Sequence, residues 1–230
     1  MTETADRDPD PTPDQDAEQD LAPARDLDAE LERAGAVLAA EAARFASFGW
    51  MRGTSGNLSV VLSRDPLRLA VTASGRDKGE LTPSDVVLVD AAGAAVLLPD
   101  DREPGRPSAE AELHARVARL TGAGAVVHVH TVASVALGRR HPAGLVFKDL
   151  EMLKGVGHPA EDEEITLPVI ANSQDMRVLG DRLEEARDPR MPAVVVAGHG
   201  LYVWGADPRQ ARHHTEVVEW LLELELAGGR

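Results

Sequence analysis

The sequence predicts an α/β fold of three layers, with helices on both faces of one central sheet. Three observations predict it. Helical and strand-like runs share the chain, and one sheet covered by helices is how such a set buries its apolar faces. Strand-like runs follow one another directly over residues 58–98 and again over 193–204. Direct succession implies hairpins, so the sheet should be largely antiparallel or mixed. Glycines and prolines stand between the runs, where turns and helix starts are needed.

The elements follow in order. Leu27, Leu31, Ala34, Leu38, Ala42 and Phe45 recur at helical spacing, and Gly49 is a stop. Strand-like runs come next at 58–62, 67–71, 86–89 and, after the turn at Gly93, 94–98. Ser108, preceded by Pro107, opens a second helix carrying Glu110, Leu113, Val117 and Leu120, which Gly122 and Gly124 end. A buried-type strand covers 125–129 and a short helix about 131–138. A strand over 165–170 and a helix over about 174–187 follow. Strands at 193–197 and 201–204 flank Gly198-His199-Gly200, and Pro208 starts a last helix to about 227.

Residues 1–25 are acidic, proline-rich and poor in large apolar side chains, and read as a disordered tail. Residues 26–230 read as one domain with a full core. Hydrophobic residues make up 43% of the 230, enough for a core. The formal net charge of −15 argues against nucleic acid or an anionic membrane as partner. No apolar run is long enough to span a bilayer and no secretory signal is visible, so a cytoplasmic location is expected. The chain has no cysteine, which excludes disulfides, thiolate ligands and a cysteine nucleophile. A metal would have to use imidazole nitrogen and carboxylate oxygen.

His128-Val129-His130 ends a strand-like run, and positions i and i+2 of a strand share a face. Two imidazoles there can reach one ion. His199, between two glycines that break a buried run, is a candidate third ligand. Three histidines with an open fourth position make a catalytic rather than a structural zinc-type site. Spacing alone does not bring the third to the first two; a hairpin turn that happens to contain histidine reads the same way. Glu110 and Glu151 are candidate acid/base residues, the latter flanked by apolar Leu150 and Met152. Each has a plain alternative: a first-turn carboxylate facing the helix dipole, or a solvated helical glutamate. The turns Gly53-Thr54-Ser55-Gly56-Asn57 and Thr72-Ala73-Ser74-Gly75-Arg76-Asp77-Lys78-Gly79, with Ser108, offer hydroxyls and free N–H groups of the kind that cradle phosphate. His114, His141, His158, His213 and His214 read as packing or surface residues.

Gly53–Ser59, Thr72–Gly75, Pro107–Glu110, His128–His130 and Gly198–Gly200 occur in the order found in the class II aldolase/adducin family, which the chain resembles over about residues 30–226. Within it the dehydratases of methylthioribulose 1-phosphate are most similar, through Ser74–Gly79, Phe147–Gly155 and His199–Gly205. Asp149-Leu150 departs from the more aromatic or polar pair expected before Glu151. The resemblance implies the class II aldolase-like fold and a homotetramer with sites near subunit interfaces. It implies one zinc per subunit, or another divalent metal, on His128, His130 and His199. It places a phosphorylated keto-sugar with its phosphate among Asn57, Ser74, Gly75 and Ser108. It implies Glu151 as acid/base, with Glu110 as a second acid/base or a helper. The alternatives are an aldolase or epimerase on a fuculose- or ribulose-type phosphate, a scaffold that has lost catalysis, and a structural-zinc protein.

Overall fold

The computed structural model describes residues 15–98 and 105–228, with side chains described from residue 27 onward. The first helix, α1, spans Gln15–Ser47, so its opening turns run through part of the segment read as a tail. Residues 1–14 of that segment lie outside the described residues. From Leu31 to Phe45 the apolar positions expected of α1 are buried.

Among the described residues there are nine strands: β1 Asn57–Arg64, β2 Leu67–Thr72, β3 Val86–Val89, β4 Ala125–Val129, β5 Leu145–Lys148, β6 Glu164–Leu167, β7 Val169–Ala171, β8 Ala193–Ala197 and β9 Gly200–Gly205. The further helices are α2 Ala111–Thr121, α3 Val132–Arg140, α4 Met176–Ala186 and α5 Pro208–Gly228, with a 3-10 segment at Glu151–Val156. Seven strands form one mixed sheet in the order β3-β2-β1-β4-β9-β8-β7, and β5 with β6 forms a separate pair. Every neighbouring pair in the large sheet is antiparallel except β7 with β8.

Alternation along the strands sorts the core into two sides. Val127, Val129, Val195, Leu201 and Val203 join Leu38, Phe45, Leu137 and Leu221 of α1, α3 and α5. Val126, Val194, Val196, Tyr202 and Trp204 join Leu113 of α2 with Leu179 and Leu183 of α4. Three layers follow from that parity.

Strand β5 was not expected from the sequence, and three expected elements have other bounds for local reasons. The run at 94–98 forms only an isolated bridge, Val89 with Ala95, and Leu97 within it is exposed. The run at 165–170 is cut at Pro168, which has no N–H to give. β6 pairs with β5, while the Pro168 carbonyl accepts from Val195 N at 2.9 Å and β7 joins the large sheet. Helix α2 starts at Ala111, not at Ser108, whose side chain and carbonyl instead accept from Glu110 N and Ala111 N in the preceding turn.

One buried acid lies outside the chemistry below. Glu219 of α5 is fully buried, with Oε1 2.7 Å from the Thr131 hydroxyl. Burial pushes it up to about 8; the Thr131 hydroxyl offsets part of this and Glu223 adds to it. The folded chain therefore keeps a proton that the unfolded chain releases above 4.5. This contribution is complete below that value and is lost as pH rises towards about 8, at most about 1.4 kcal/mol per pH unit. Urea midpoints measured from about pH 5 to about pH 8.5 should fall more for the wild type than for Glu219→Gln. Parallel profiles would show that Glu219 is ionised in the fold.

Candidate active site

One edge of the sheet gathers the polar residues singled out above. Asn57, at the start of β1, pairs with His128 at the end of β4. Thr72, at the end of β2, accepts at its hydroxyl from Leu58 N at 3.1 Å. The start of β9 lies beside the ends of β4 and β8, and the end of β8 beside the end of β7. The loops leaving these ends enclose a cavity of about 310 Å³, the size of a small-ligand site. A larger cavity of about 690 Å³ lies between α1 and β3, with Leu31, Glu32, Val86 and Leu88 in its wall. It has none of the histidines or hydroxyl turns, so chemistry rather than size identifies the site.

The three histidines converge. Their rings lie 4.6 to 4.9 Å apart, centre to centre, and a ligand nitrogen from each falls within 4.8 Å of the others. His128 and His130 bring their Nε2 atoms to 2.8 Å. His130 sits just past the strand, its N–H given to the Trp50 carbonyl at 3.0 Å. His128 is buried, stacks on Tyr202 at 4.0 Å and has Nδ1 3.1 Å from the Leu201 carbonyl. A carbonyl only accepts, so Nδ1 carries the proton and Nε2 turns its lone pair into the cluster. Burial pushes His128 down to about 3, with Glu110 opposing and the other two imidazoles assisting. Burial and His199 lower His130 as well. Both are neutral at pH 7, the state in which imidazole binds metal.

Glycine makes the approach possible. Gly198 takes φ +72° to turn the chain. A Cβ on Gly200 would run into the Val129 carbonyl and stand 3.1 Å from the His130 ring and 3.2 Å from the His128 ring.

Glu110 completes the cluster. Its Oε2 accepts from Asn57 Nδ2 at 2.6 Å and lies 3.4 Å from His128 Nε2, while Oε1 lies 3.2 Å from His199 Nε2. Burial opposes its charge, but the imidazoles of His128 and His199 and the Asn57 amide outweigh it and hold the carboxyl well below the usual range. A donor set of three imidazoles and a nearby carboxylate, with no sulfur, fits a divalent ion. His128, His130 and His199 would hold it.

The expected phosphate turns line the same cavity: Thr54 to Asn57, Thr72 to Gly75, and Ser108. The structure therefore brings together the three histidines, Glu110, Asn57, Ser74, Gly75 and Ser108. It does not bring Glu151 to them. That side chain, at the start of the 3-10 segment, is 76% exposed, pairs with Lys154 Nζ at 2.7 Å and is absent from the cavity wall.

Three lining residues escaped the sequence reading. Lys78 is 1% exposed, with Nζ donating to the Thr54 carbonyl at 3.2 Å and the Arg76 carbonyl at 2.8 Å. It is the one lysine or arginine in the cavity wall among the described residues. Its place inside the Ser74–Gly79 turn was the available signal. Gln174 and Met176 arrive from the loop after β7 and the first residue of α4, and no motif marks them. His114 is a packing residue, as expected, with Nδ1 2.7 Å from Ser59 Oγ.

Comparison with known proteins agrees with this geometry. Residues 36–226 match the class II aldolase and adducin N-terminal domain. A methylthioribulose-1-phosphate dehydratase of Sulfurihydrogenibium sp. is 39% identical over 178 residues, 76% of this chain and 81% of that protein. A methylthioribulose-1-phosphate dehydratase of Methylococcus capsulatus is 40% identical over 203 residues, 86% of this chain and 95% of that protein. Among solved structures, YgbL of Escherichia coli superposes with a TM-score of 0.71 at 23% identity, over 86% of this chain and 91% of that one. The fold, the histidine cluster and these matches together place the chain in the class II aldolase and adducin family.

Proposed function

We propose that the chain is a zinc-dependent dehydratase that converts 5-methylthioribulose 1-phosphate to 2,3-diketo-5-methylthiopentyl 1-phosphate, a step of methionine salvage. The observation that carries the reading is one cavity lined by metal-type histidines, a carboxylate and phosphate-type turns, in a chain about 40% identical to enzymes of that name. Asn57, Ser74, Gly75 and Ser108 receive the phosphate, and buried Lys78 supplies the positive charge that a phosphate dianion needs. Zinc, or another divalent ion on His128, His130 and His199, supplies Lewis-acid polarisation of the substrate carbonyl.

A carboxylate takes the C3 proton and the C4 hydroxyl leaves as water. The resulting enol tautomerises to the diketone, so atoms balance with no further reactant. Glu151 is the proposed acid/base. Being exposed beside Lys154 in its own chain, it would serve the site of a neighbouring copy in a homotetramer. Exposed Val132, Val146, Trp220 and Leu224 offer apolar surface for such contacts. Glu110, already held beside the histidines, orients the site or acts as a second acid/base. No helix among the described residues is long and apolar enough to cross a membrane.

Product analysis tests the reading. The purified protein should form the diketone from methylthioribulose 1-phosphate, lose that activity with chelator and regain it with zinc. Carbon–carbon cleavage of this substrate or of fuculose 1-phosphate, without diketone, would transfer the chain to the aldolase reading.

A further inference from the structure

The cavity has two chemically different ends. Along the sheet edge the strands run β2, β1, β4, β9, β8, β7. Ser74 follows β2 and Asn57 begins β1, His128 is the last residue but one of β4, and His199 joins β8 to β9. Gln174 and Met176 follow β7. The phosphate-type turns thus lie to one side of the histidines, and Gln174 with Met176 to the other.

Chemistry divides the wall in the same way. Besides Ala73 and Ala109, Met176 is the one apolar side chain lining the cavity among the described residues. It is half-buried, packed against the core cluster that contains Leu113, Ile170 and Leu179. It therefore touches both the core and the cavity. A 1-phosphoketose whose C2 and C3 oxygens sit at the histidines must point C4, C5 and any substituent away from the phosphate.

We infer that Met176, flanked by Gln174, forms the wall against which the substituent on C5 packs, and that it sets the preference for a methylthio group there. The inference rests on the dehydratase reading. A thioether is apolar, polarisable and without a strong hydrogen-bonding group, and another thioether is a suitable surface for it. Gln174, polar and exposed, borders this wall on the solvent side. An apolar wall also disfavours a C5 hydroxyl or a second phosphate, which would lose water without gaining a partner.

The test compares methylthioribulose 1-phosphate with 5-deoxyribulose 1-phosphate, which lacks only the methylthio group. Met176→Gln, close in size but polar, should lower kcat/KM for the first about tenfold, as for other small apolar groups in a pocket. It should leave kcat/KM for the second within about twofold. Met176→Leu should keep the wild-type ratio. Metal content and melting temperature, measured alongside, report a folding defect. An unchanged ratio, or an equal fall for both substrates, overturns the assignment of Met176 alone. Failure of the wild type to form diketone overturns the dehydratase reading, and this inference with it.

Discussion

His128→Ala should empty the metal site and lower dehydration by about a thousandfold or more. The magnitude follows from what is removed. Lewis-acid polarisation is worth several kcal/mol in the transition state, and about 1.4 kcal/mol is tenfold in rate. His128 is the best-fixed of the three candidate ligands: buried, stacked on Tyr202, and set in one tautomer by the Leu201 carbonyl. Its loss leaves His130 and His199, both partly exposed, as two imidazoles for one ion. Metal per chain by mass spectrometry should fall from about one to a small fraction after dialysis against chelator. Added zinc should raise the melting temperature of the wild type and not of the variant. A variant that keeps stoichiometric metal would remove His128 from the ligand set. A second arm protects the result from a folding defect: His128→Gln preserves more volume and should show the same metal loss with a smaller fall in stability.

How much of this was legible in the sequence depends on what each feature requires. His128 and His130 could be paired because strand parity is local, and the structure keeps both on the α2 side of the sheet. His199 could be nominated from its glycines but not placed, since its approach to β4 depends on β9 pairing between β4 and β8. Sequence distance carries no record of that order. Pro168 was visible, and the split it causes follows from its missing N–H. The destination of each half, one in a separate pair and one parallel to β8, is a tertiary choice. Lys78 looked like any charge in a turn; its burial arises because two turns fold over it and offer carbonyls to its ammonium. Met176 carries no motif, and its position becomes meaningful only when the sheet order sets phosphate turns and α4 on opposite sides of the histidines. Glu151 shows the opposite failure. Apolar neighbours suggested burial, yet Leu150 and Met152 pack towards the core and leave Glu151 pointing out. In a segment of tight helical turns, adjacent side chains face different directions, so apolar flanks do not bury the residue between them.

Two inactive variants should therefore restore activity when mixed. Glu151→Gln alone should cost about 10²-fold or more in turnover, the usual contribution of a general acid/base, with metal content intact. His128→Ala alone should be inactive for want of metal. If Glu151 serves a neighbouring copy, an oligomer assembled from both variants contains some sites with an intact histidine set from one chain and an intact Glu151 from another. With equal amounts and random assembly, about a quarter of the sites are rebuilt, because each draws an intact contribution from each of two chains at even odds. If Glu151 serves its own chain, no mixed site is complete and activity stays at the level of the separate variants. The exposed ion pair with Lys154 is no obstacle to such a contact. Surface pairs of this kind are worth about 0–1 kcal/mol, less than the apolar area around Val132 and Val146 can return when a neighbour covers it. Lack of recovery, in oligomers shown by differential tagging to contain both chains, would rule out action across an interface. Glu151 would then drop out of the catalytic set, since its own chain holds it outside the cavity. The carboxylate already in place there, Glu110, would take over its role.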